Sequence, residues 1–388
     1  MKDSDSIRVA LIGCGTRGTG AAVNCAGADD NVKLVAVADA FEDNAKSAAV
    51  TLRTALKEKA DLPDNRVFWG FEAYRKAIDC GADPVILATP PGFRPAHYLA
   101  AVTAGKHVFL EKPCCVDAAG FRQLMEANKL AEAKNLKIGV GLQRRHEVSY
   151  IEGVKQIQDG GIGDILLLQC YGNGNTPWIR RRQPQQTEME YQMRNWYFFT
   201  WLSGDLICED HVQSLDVANW IKNDHPTEAN GMGGRQVRRG KDVGHIFDHH
   251  FVEFTYKDGT KLYSQCRQIP GTWNSVGEAA QGTKGVSTCR VGGGGKNPFD
   301  QEMIDLVGAI RKDLKYNEGW FGATSSMTAV LGRMATYSGQ VVTWDEAVAK
   351  GASGMPKRLA FDAAPPVLPD ASGAYEHAVP VPGVYKPS

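Results

Sequence analysis

The sequence predicts an α/β plus α+β protein, with an N-terminal Rossmann domain and a C-terminal domain with a large, mainly antiparallel sheet. Two observations carry this prediction. Strands and helices alternate over residues 7–142, which is typical of a doubly wound parallel sheet. Later strands outnumber helices and follow one another through hairpin turns, which indicates antiparallel pairing. We therefore expect domains at 1–142 and 143–350, and a Pro-rich C-terminal arm at 351–388.

The composition is that of a globular chain without a strongly charged surface. Of its 388 residues, 43% are hydrophobic, and 44 basic residues balance 44 acidic ones. This balance gives no reason to expect nucleic acid or a membrane surface as a partner. No apolar run approaches the ~20 residues of a membrane span. The opening MKDSDS has no signal-peptide core, so we expect a cytoplasmic protein, or a periplasmic one if a leader was removed.

The first chemical motif is a glycine-rich turn after an aliphatic strand at residues 7–12. Gly13, Gly15 and Gly18 have the G-x-G-x-x-G spacing, in which the glycines permit a tight turn, a pyrophosphate's approach and close helix packing. A second strand ends in Asp39, which lies 21 residues past Gly18. An acid at that distance is expected to bind the ribose of a dinucleotide.

The remaining elements follow from hydrophobic periodicity and from Gly, Pro and Asn signals. In the first domain, strands are expected at Val32–Ala38, Val85–Ala88, His107–Leu110 and Lys137–Gly141, and helices at Glu72–Cys80, His97–Ala104 and Phe121–Ala133. In the second domain, strands are expected at Ile165–Tyr171, Ile246–Tyr256, Thr260–Gln268 and Gly285–Arg290, and helices at Tyr150–Gln158, Asp205–Ile221, Phe299–Arg311 and Ser325–Tyr337.

A stretch between residues 87 and 115 has a more specific pattern. It contains Ala88-Thr89-Pro90, then Ala104-Gly105-Lys106-His107-Val108, and then Glu111-Lys112-Pro113. In this order the segments resemble the Gfo/Idh/MocA family (glucose–fructose oxidoreductase, inositol dehydrogenase, rhizopine catabolism), and the resemblance covers about residues 7–345. It implies an NAD-dependent oxidoreductase that moves a hydride between nicotinamide and a secondary hydroxyl or ketone of a sugar, glycoside or cyclitol.

The resemblance also implies roles for individual residues. Lys112 is expected to be the catalytic acid/base, and Pro113 to fix the turn that aims it, through a cis peptide bond. Asp39 is followed by no basic residue that could hold a 2′-phosphate, so we expect NAD(H) over NADP(H). The residues expected to contact the cofactor are Gly13, Gly15, Thr16, Arg17, Gly18, Asp39, Thr89, Pro90, Pro91, His97, Glu111 and Lys112.

A second family segment, at Ser203–Trp220, departs from the family pattern. When the segment is aligned on Asp216, Glu209 replaces the usual Asp and Gln213 replaces the usual His. Glutamine cannot act as a general base, so Glu209 and Gln213 are expected to orient the substrate for Lys112. If Asp205–Ile221 is one continuous helix, Glu209, Gln213 and Asp216 share a face and His211 points away. His211 would face the substrate only if the helix began later.

Aromatic and basic side chains complete the expected substrate site. Aromatic rings stack on the C–H faces of sugars, although runs such as residues 195–201 also form cores. His146 is interpreted as a packing residue. The candidate substrate-binding residues are Arg145, Trp178, Asn195, Trp196 and His211.

Several alternatives remain open at this point. Some relatives are NAD-dependent glycosidases that oxidise the sugar transiently and eliminate the aglycone, and others are non-catalytic cofactor-binding sensors.

We expect no metal site at residues 245–250, because the histidines there begin a strand and no second cluster completes a site. A sheet of this size with an exposed face predicts a homodimer or homotetramer.

Overall fold

The structure, a computed structural model, describes residues 5–386. Residues 1–4, on which the signal-peptide argument partly rests, and the last two residues of the predicted arm lie outside this range. Contacts divide the chain into two compact units, each of which is discontinuous in sequence. The three consecutive domains expected from the sequence remain a prediction. Unit 1 comprises Met1–Cys114, Arg122–Glu147 and Gly294–Ala323, and unit 2 comprises Cys115–Phe121, Val148–Gly293 and Thr324–Ser388.

The helices and strands follow in chain order. The first part contains β1 (Ile7–Ile12), α1 (Thr16–Gly27), β2 (Val32–Asp39), α2 (Glu42–Leu56), β3 (Val67–Trp69), α3 (Ala73–Asp79), β4 (Pro84–Leu87), α4 (Arg94–Thr103), β5 (His107–Leu110), α5 (Ala118–Ala133) and β6 (Ile138–Val140). The second part contains α6 (Val148–Gln158), β7 (Ile165–Gly174), α7 (Glu188–Arg194), α8 (Thr200–Ser203), α9 (Leu206–Glu209), α10 (Val212–Lys222), β8 (Pro226–Gly234), β9 (His249–Tyr256), β10 (Lys261–Gln268), β11 (Ser275–Gly282), β12 (Gly285–Ser287), α11 (Pro298–Lys312), α12 (Gly319–Ser338), β13 (Val342–Thr343) and α13 (Trp344–Lys350).

The sheet of unit 1 has six strands in the order β3-β2-β1-β4-β5-β6, and all of its pairings are parallel. This is the strand order of a Rossmann fold, which confirms the fold class predicted for this part of the chain. The order reverses between β1 and β4, and ligands of such sheets bind beyond the carboxyl ends of the strands at that point.

The core of unit 1 contains a contribution from late in the chain. Aliphatic side chains of β1, β2 and β4 pack in one buried cluster with α1 and α2. Helix α11 adds Met303, Leu306, Val307 and Ile310 to the same cluster. Burial of apolar surface therefore makes α11 a structural part of the nucleotide-binding fold.

The sheet of unit 2 has seven strands in the order β12-β11-β7-β10-β9-β8-β13. Among its pairings within residues 5–386, β7–β10 is parallel and the others are antiparallel, as the sequence predicted for a mainly antiparallel sheet. Alternation along β9 buries Val252, Phe254 and Tyr256 and leaves Phe251 on the outer face. Helix α12 approaches the inner face closely, because a Cβ on its Gly332 would be 2.7 Å from the ring of Phe254.

Several element predictions were wrong, for local reasons. Strands β8 and β11 were not predicted, because their Gly-, Ala- and Asn-rich sequences lack an alternating apolar pattern. The strand expected at Gly285–Arg290 ends at Ser287, before Cys289 adopts a left-handed conformation with φ of 62°. The continuous helix expected at Asp205–Ile221 is interrupted at Asp210 and His211.

The C-terminal arm lies on unit 2 and is mostly irregular. Tyr375 is fully buried, and its hydroxyl group accepts a hydrogen bond from Arg182 (2.9 Å). The side-chain amide of Gln192 in α7 donates to the carbonyl of Val367 (2.6 Å). The described part of the arm is thus held by side chains of its own unit. Among the described residues, no helix has the length and apolar character needed to cross a membrane.

Candidate functional site

The glycine motif forms the turn between β1 and α1. Gly13 has φ of +100°, and a Cβ on it would lie 2.4 Å from the carbonyl carbon of Ala88. A Cβ on Gly18 would lie 1.9 Å from the Gly13 oxygen, so only glycine lets α1 pack this closely. Gly15, at the N-cap of α1, has no atom within 4 Å of a Cβ position. This open space beside a helix N-terminus fits a dinucleotide pyrophosphate.

Asp39 ends β2 next to this turn. Its carboxylate accepts hydrogen bonds from the backbone N–H of Cys14 (2.8 Å) and of Phe41 (2.9 Å), and from the Asn44 amide (3.3 Å). Burial raises the pKa of Asp39, while these hydrogen bonds oppose that rise. A carboxylate has about four lone pairs, so Asp39 retains capacity to accept from ribose hydroxyl groups.

The segment after β4 brings Thr89 and His97 together, with Thr89 Oγ1 3.3 Å from His97 Nδ1. The imidazole stacks on Tyr74 at 4.1 Å between ring centroids and is buried. Burial lowers the pKa of His97 to about 3, so the ring is neutral. Pro90 and Pro91 follow Thr89 directly. His97 thus supports Thr89 from inside unit 1, and direct contact of His97 with the cofactor stays a prediction.

Lys112 lies in the turn that directly follows β5, between Glu111 and Pro113, and its side chain is half-buried. The Lys112–Pro113 peptide bond is cis, as predicted. The guanidinium group of buried Arg94 donates to the carbonyl oxygens of Glu111 (3.1 Å) and Pro113 (2.6 Å). One side chain therefore holds the backbone on both sides of Lys112.

Glu111 joins this turn to the glycine motif. Its carboxylate pairs with Arg17 of α1 at 2.9 Å, and it lies so close to Gly141 that a Cβ there would be 2.7 Å from Glu111 Oε2. Arg17 also lies over the ring of Phe299, 4.8 Å from its centroid. Of the residues predicted to contact the cofactor, Arg17 and Glu111 are thus coupled to each other through an ion pair.

The predicted substrate residue Arg145 and its neighbour His146 have separate environments in unit 1. The Arg145 guanidinium carbon lies 3.8 Å from the Phe321 ring centroid. His146 is buried, and its ring nitrogens approach Asp305 (2.6 Å) and Glu318 (3.3 Å). Burial lowers the pKa of His146, but these carboxylates outweigh burial and raise it to about 10. His146 is thus a buried cation inside unit 1, consistent with the packing role inferred from the sequence.

The second family segment folds as α9, a two-residue interruption and α10, all in unit 2. Glu209 ends α9, and Gln213 lies half-buried in the first turn of α10. Asp216 is buried and accepts from Ser325 Oγ (2.7 Å), which gives it a structural role. His211 is also buried, with Nε2 2.8 Å from Ser264 Oγ. A substrate contact of His211 therefore requires an exposure that the structure does not provide.

The aromatic segment contains both enclosed and exposed residues. Asn195 is fully buried; its amide nitrogen donates to Tyr191 (3.3 Å) and Asp242 (2.9 Å), and its oxygen accepts from Arg180 N–H (2.9 Å). Its hydrogen bonds are thus made within the protein, which favours a structural role over the predicted substrate contact. Trp178 is 44% exposed and packs edge-to-face on Trp196, with ring centroids 5.8 Å apart.

The histidines near β9 have protein partners. His245 approaches Thr200 (2.8 Å) and His250 approaches Thr336 (2.9 Å). Asp248 accepts from the backbone N–H groups of Gln236 and Val237, each at 2.7 Å. Within residues 5–386, no group of three or more His, Cys, Asp or Glu side chains is arranged to hold a metal ion.

Sequence reasoning missed Arg94, Asp210 and Gln268. Arg94 is separated by 17 residues from Glu111, and no spacing rule connects them. The Gln268 amide nitrogen donates to Tyr197 (2.7 Å) and Asp210 (3.3 Å), although Gln268 lies 58 residues from Asp210 in sequence. The sequence offered one signal for Arg94, its position directly before Pro95 at the start of a helix. That position indicated only a polar helix end.

Comparisons with known proteins bear on this site. Residues 7–142 match the family model GFO_IDH_MocA, described as "Oxidoreductase family, NAD-binding Rossmann fold". The chain is 27% identical over 244 residues to an inositol 2-dehydrogenase of Acidothermus cellulolyticus, covering 63% of this chain and 62% of that protein. It is 28% identical over 264 residues to an inositol 2-dehydrogenase of Klebsiella pneumoniae, covering 66% of each. The chain thus aligns with less than two thirds of these relatives' lengths.

A similar fold occurs among solved structures. The scyllo-inositol dehydrogenase of Lactobacillus casei, with bound cofactor NAD(H) and scyllo-inositol, has a TM-score of 0.67 and 18% identity to this chain. The match covers 88% of this chain and 100% of that one. At this identity the likeness concerns the fold.

Proposed function

We propose that this chain, whose residues 7–142 match the Gfo/Idh/MocA family model of oxidoreductases, is an NAD-dependent dehydrogenase of a secondary hydroxyl group on a sugar, glycoside or cyclitol, or a reductase of the matching ketone. The observation that carries the proposal is the position of Lys112, in a braced turn directly after β5 of the Rossmann sheet. The inositol dehydrogenases among the relatives make cyclitols the first substrates to test.

The nucleotide would be held by the β1–α1 turn and by Asp39. The open space at Gly15 and the N-terminus of α1 suit the pyrophosphate, and the Asp39 carboxylate suits the ribose hydroxyl groups. When bound, the nicotinamide supplies the hydride acceptor or donor. The carboxylate of Asp39 would repel a 2′-phosphate, which favours NAD(H) over NADP(H).

Lys112 moves the proton of the reacting hydroxyl group. As a neutral amine it accepts the hydroxyl proton during oxidation, and as an ammonium group it returns a proton during reduction. The Arg94 bonds to the Glu111 and Pro113 carbonyl groups fix the backbone that aims it. Glu209 and Gln213 orient the substrate by hydrogen bonds, as hydroxyl acceptors and, for Gln213, also as a donor.

The test is a panel of inositols, sugars and aryl glycosides incubated with the protein and NAD, with NADH followed by absorbance. A dehydrogenase produces NADH in proportion to the oxidised product. Release of aglycone from an aryl glycoside without net NADH would instead identify a redox glycosidase. Binding of NAD without either reaction across the panel would favour a cofactor-binding sensor.

The outer face of the unit 2 sheet supports a proposal of self-association. Met232 on β8 pairs in register with Phe251 on β9, and the ring of Phe251 lies 6.1 Å from that of Tyr263 on β10. Their exposed fractions are 73%, 37% and 36%. Adjacent exposed apolar side chains on the face of a sheet favour an interface, so a homodimer or homotetramer is proposed.

A further inference from the structure

A buried arginine and a glutamine in unit 2 hold one exposed carboxylate in place. Arg238 is 2% exposed, and its guanidinium group donates to the Phe247 carbonyl and to Gln268 Oε1. Arginine only donates, so the amide oxygen of Gln268 must face Arg238 and its nitrogen must face the other way. The orientation of the Gln268 amide is therefore fixed by its neighbour.

The Gln268 amide nitrogen serves two acceptors. It donates to the Tyr197 hydroxyl oxygen at 2.7 Å and to Asp210 Oδ2 at 3.3 Å. Gln268 and Tyr197 are 3% and 4% exposed, whereas Asp210 is exposed. Burial and the charges of Glu209 and Asp210 raise the pKa of Tyr197 well above its usual range, so its phenol keeps its proton. This network thus ends at the surface in a carboxylate.

An exposed aromatic ring also packs against Tyr197. The Trp178 ring centroid is 6.3 Å from that of Tyr197, in an edge-to-face arrangement. Trp178 is 44% exposed, and Arg180 lies over its ring at 5.6 Å. Tyr197 therefore links an exposed indole, through its ring, to an exposed carboxylate, through its hydroxyl group and the Gln268 amide.

We propose that Asp210 and Trp178 form a recognition surface for a polyhydroxylated ring, in which Asp210 accepts hydrogen bonds from ring hydroxyl groups and Trp178 packs on the C–H face. Gln268 and Arg238 act as positioning residues, because they hold Asp210 without touching the ligand. Asp210 Oδ1 is not engaged by Gln268, and an ionised carboxylate makes strong hydrogen bonds to hydroxyl groups. This inference rests on the proposed dehydrogenase function and names residues of unit 2 that would recognise its class of substrate.

The central variant is Asp210→Asn, which keeps an oxygen for the Gln268 amide but removes the charge. A hydrogen bond to a charged group contributes about 1.5–3 kcal/mol, so KM for the best polyol of the panel should rise about 10–100-fold. The kcat value and KM for NAD should change less than about threefold. Asp164→Asn, at another exposed aspartate of unit 2, should leave KM unchanged.

The positioning role has its own variant. Gln268→Glu still accepts from Arg238, but places a second oxygen where the amide nitrogen faced Asp210. The resulting repulsion should raise KM for the polyol. Gln268→Glu should raise it less in the Asp210→Asn background, so the effects of the two substitutions should be non-additive. If the effects of Gln268→Glu and Asp210→Asn on KM were fully additive in the double variant, the positioning role of Gln268 would be overturned. Trp178→Ala should raise KM, and Trp178→Phe should restore most of the affinity.

Binding must be measured separately from turnover, by saturation-transfer NMR with myo-inositol and methyl β-D-glucopyranoside as probes. Polyol binding that is weakened in Asp210→Asn supports the surface even if no probe is oxidised, a result that would contradict only the dehydrogenase proposal. Oxidation with an unchanged KM in folded Asp210→Asn overturns the surface and leaves the dehydrogenase proposal standing. Failure of both probes to bind the wild-type protein also overturns the surface.

Discussion

The backbone around Lys112 is held on both sides by one buried guanidinium group. Glu111 and Pro113 present their carbonyl oxygens to Arg94, so the residue between them has little freedom to tilt. A proton-transfer group loses efficiency when its reacting atom is displaced by even ~1 Å. The two residues can therefore be tested separately, Lys112 for proton transfer and Arg94 for the orientation of the Lys112 side chain.

Lys112→Met keeps most of the side-chain length and removes the group that exchanges the proton. Turnover should fall by about 10²–10⁴-fold, because general acid–base catalysis contributes that much. The affinity for NADH, measured by fluorescence titration, should change far less. Lys257→Met, in the exposed turn between β9 and β10, serves as the control. Near-full activity in Lys112→Met would remove this residue from the mechanism.

Arg94→Met removes both hydrogen bonds to the turn but leaves Lys112 itself unchanged. We expect kcat to fall about 10–100-fold through misalignment, with KM for NAD little altered. Arg94→Lys can still donate to one carbonyl group and should give an intermediate kcat. Thermal unfolding of each variant shows whether the fold is kept. A folded Arg94→Met enzyme with normal kcat would show that the brace has no role in catalysis.

Asp39 makes a prediction about cofactor choice. In Asp39→Ala the ratio of kcat/KM for NAD to that for NADP should fall, because the ribose acceptor and the charge that repels a 2′-phosphate are both lost. Asp39→Asn removes the charge but keeps an oxygen for only one of the N–H groups of Cys14 and Phe41, which bond to different carboxylate oxygens, so its thermal stability is measured alongside cofactor use. Equal use of NAD and NADP by the wild-type enzyme would contradict the assignment.

At the scale of elements, the break between α9 and α10 lies at a residue whose side chain contacts two strands. The His211 N–H group bonds to the Leu206 carbonyl, five residues back, at 3.2 Å. Its imidazole reaches Ser264 on β10 and lies so close to Gly172 on β7 that a Cβ there would be 2.4 Å from Nδ1. The interruption thus lets one helical segment dock on two strands.

His211→Asn should therefore lower stability more than activity. Loss of the buried bond to Ser264 should reduce the free energy of unfolding by ~1–3 kcal/mol in denaturant titrations, with kcat/KM changed only severalfold. Ser264→Ala, the matched change on the other partner, should act similarly. Gln213→Ala should raise KM without abolishing turnover. If folded His211→Asn lost turnover while Gln213→Ala had no effect, His211 rather than Gln213 would be the residue that contacts the substrate.

The sequence predicted the elements whose pattern is local. The β1 strand and its glycine turn combine a continuous aliphatic run with three spaced glycines, and both are confirmed. Strand β8 was missed because a partner strand, rather than its own residues, stabilises an Asn- and Gly-rich segment. The helix break at His211 was missed because the partner of its side chain, Ser264, lies 53 residues away. Side-chain networks between distant residues have no local signal.

At the scale of the whole molecule, the apolar face formed by Met232, Phe251 and Tyr263 predicts self-association. Phe251→Asp places a charge in that face and should shift the protein toward the monomer, as measured by light scattering after size-exclusion chromatography. Val50→Glu, at an exposed position of α2, should leave the assembly unchanged. A wild-type protein that is monomeric at micromolar concentration would contradict the prediction.

The late contribution of α11 to the core of unit 1 has a consequence for biosynthesis. A ribosome releases the chain from its amino terminus, and amino-terminal domains generally fold first during synthesis. Here Met303, Leu306, Val307 and Ile310 are translated after residues 148–293, which belong to unit 2. The apolar surface of the nascent Rossmann sheet that α11 covers therefore stays exposed while residues 148–293 are synthesised. Chaperone demand on the growing polypeptide should peak during that interval and end when α11 leaves the exit tunnel.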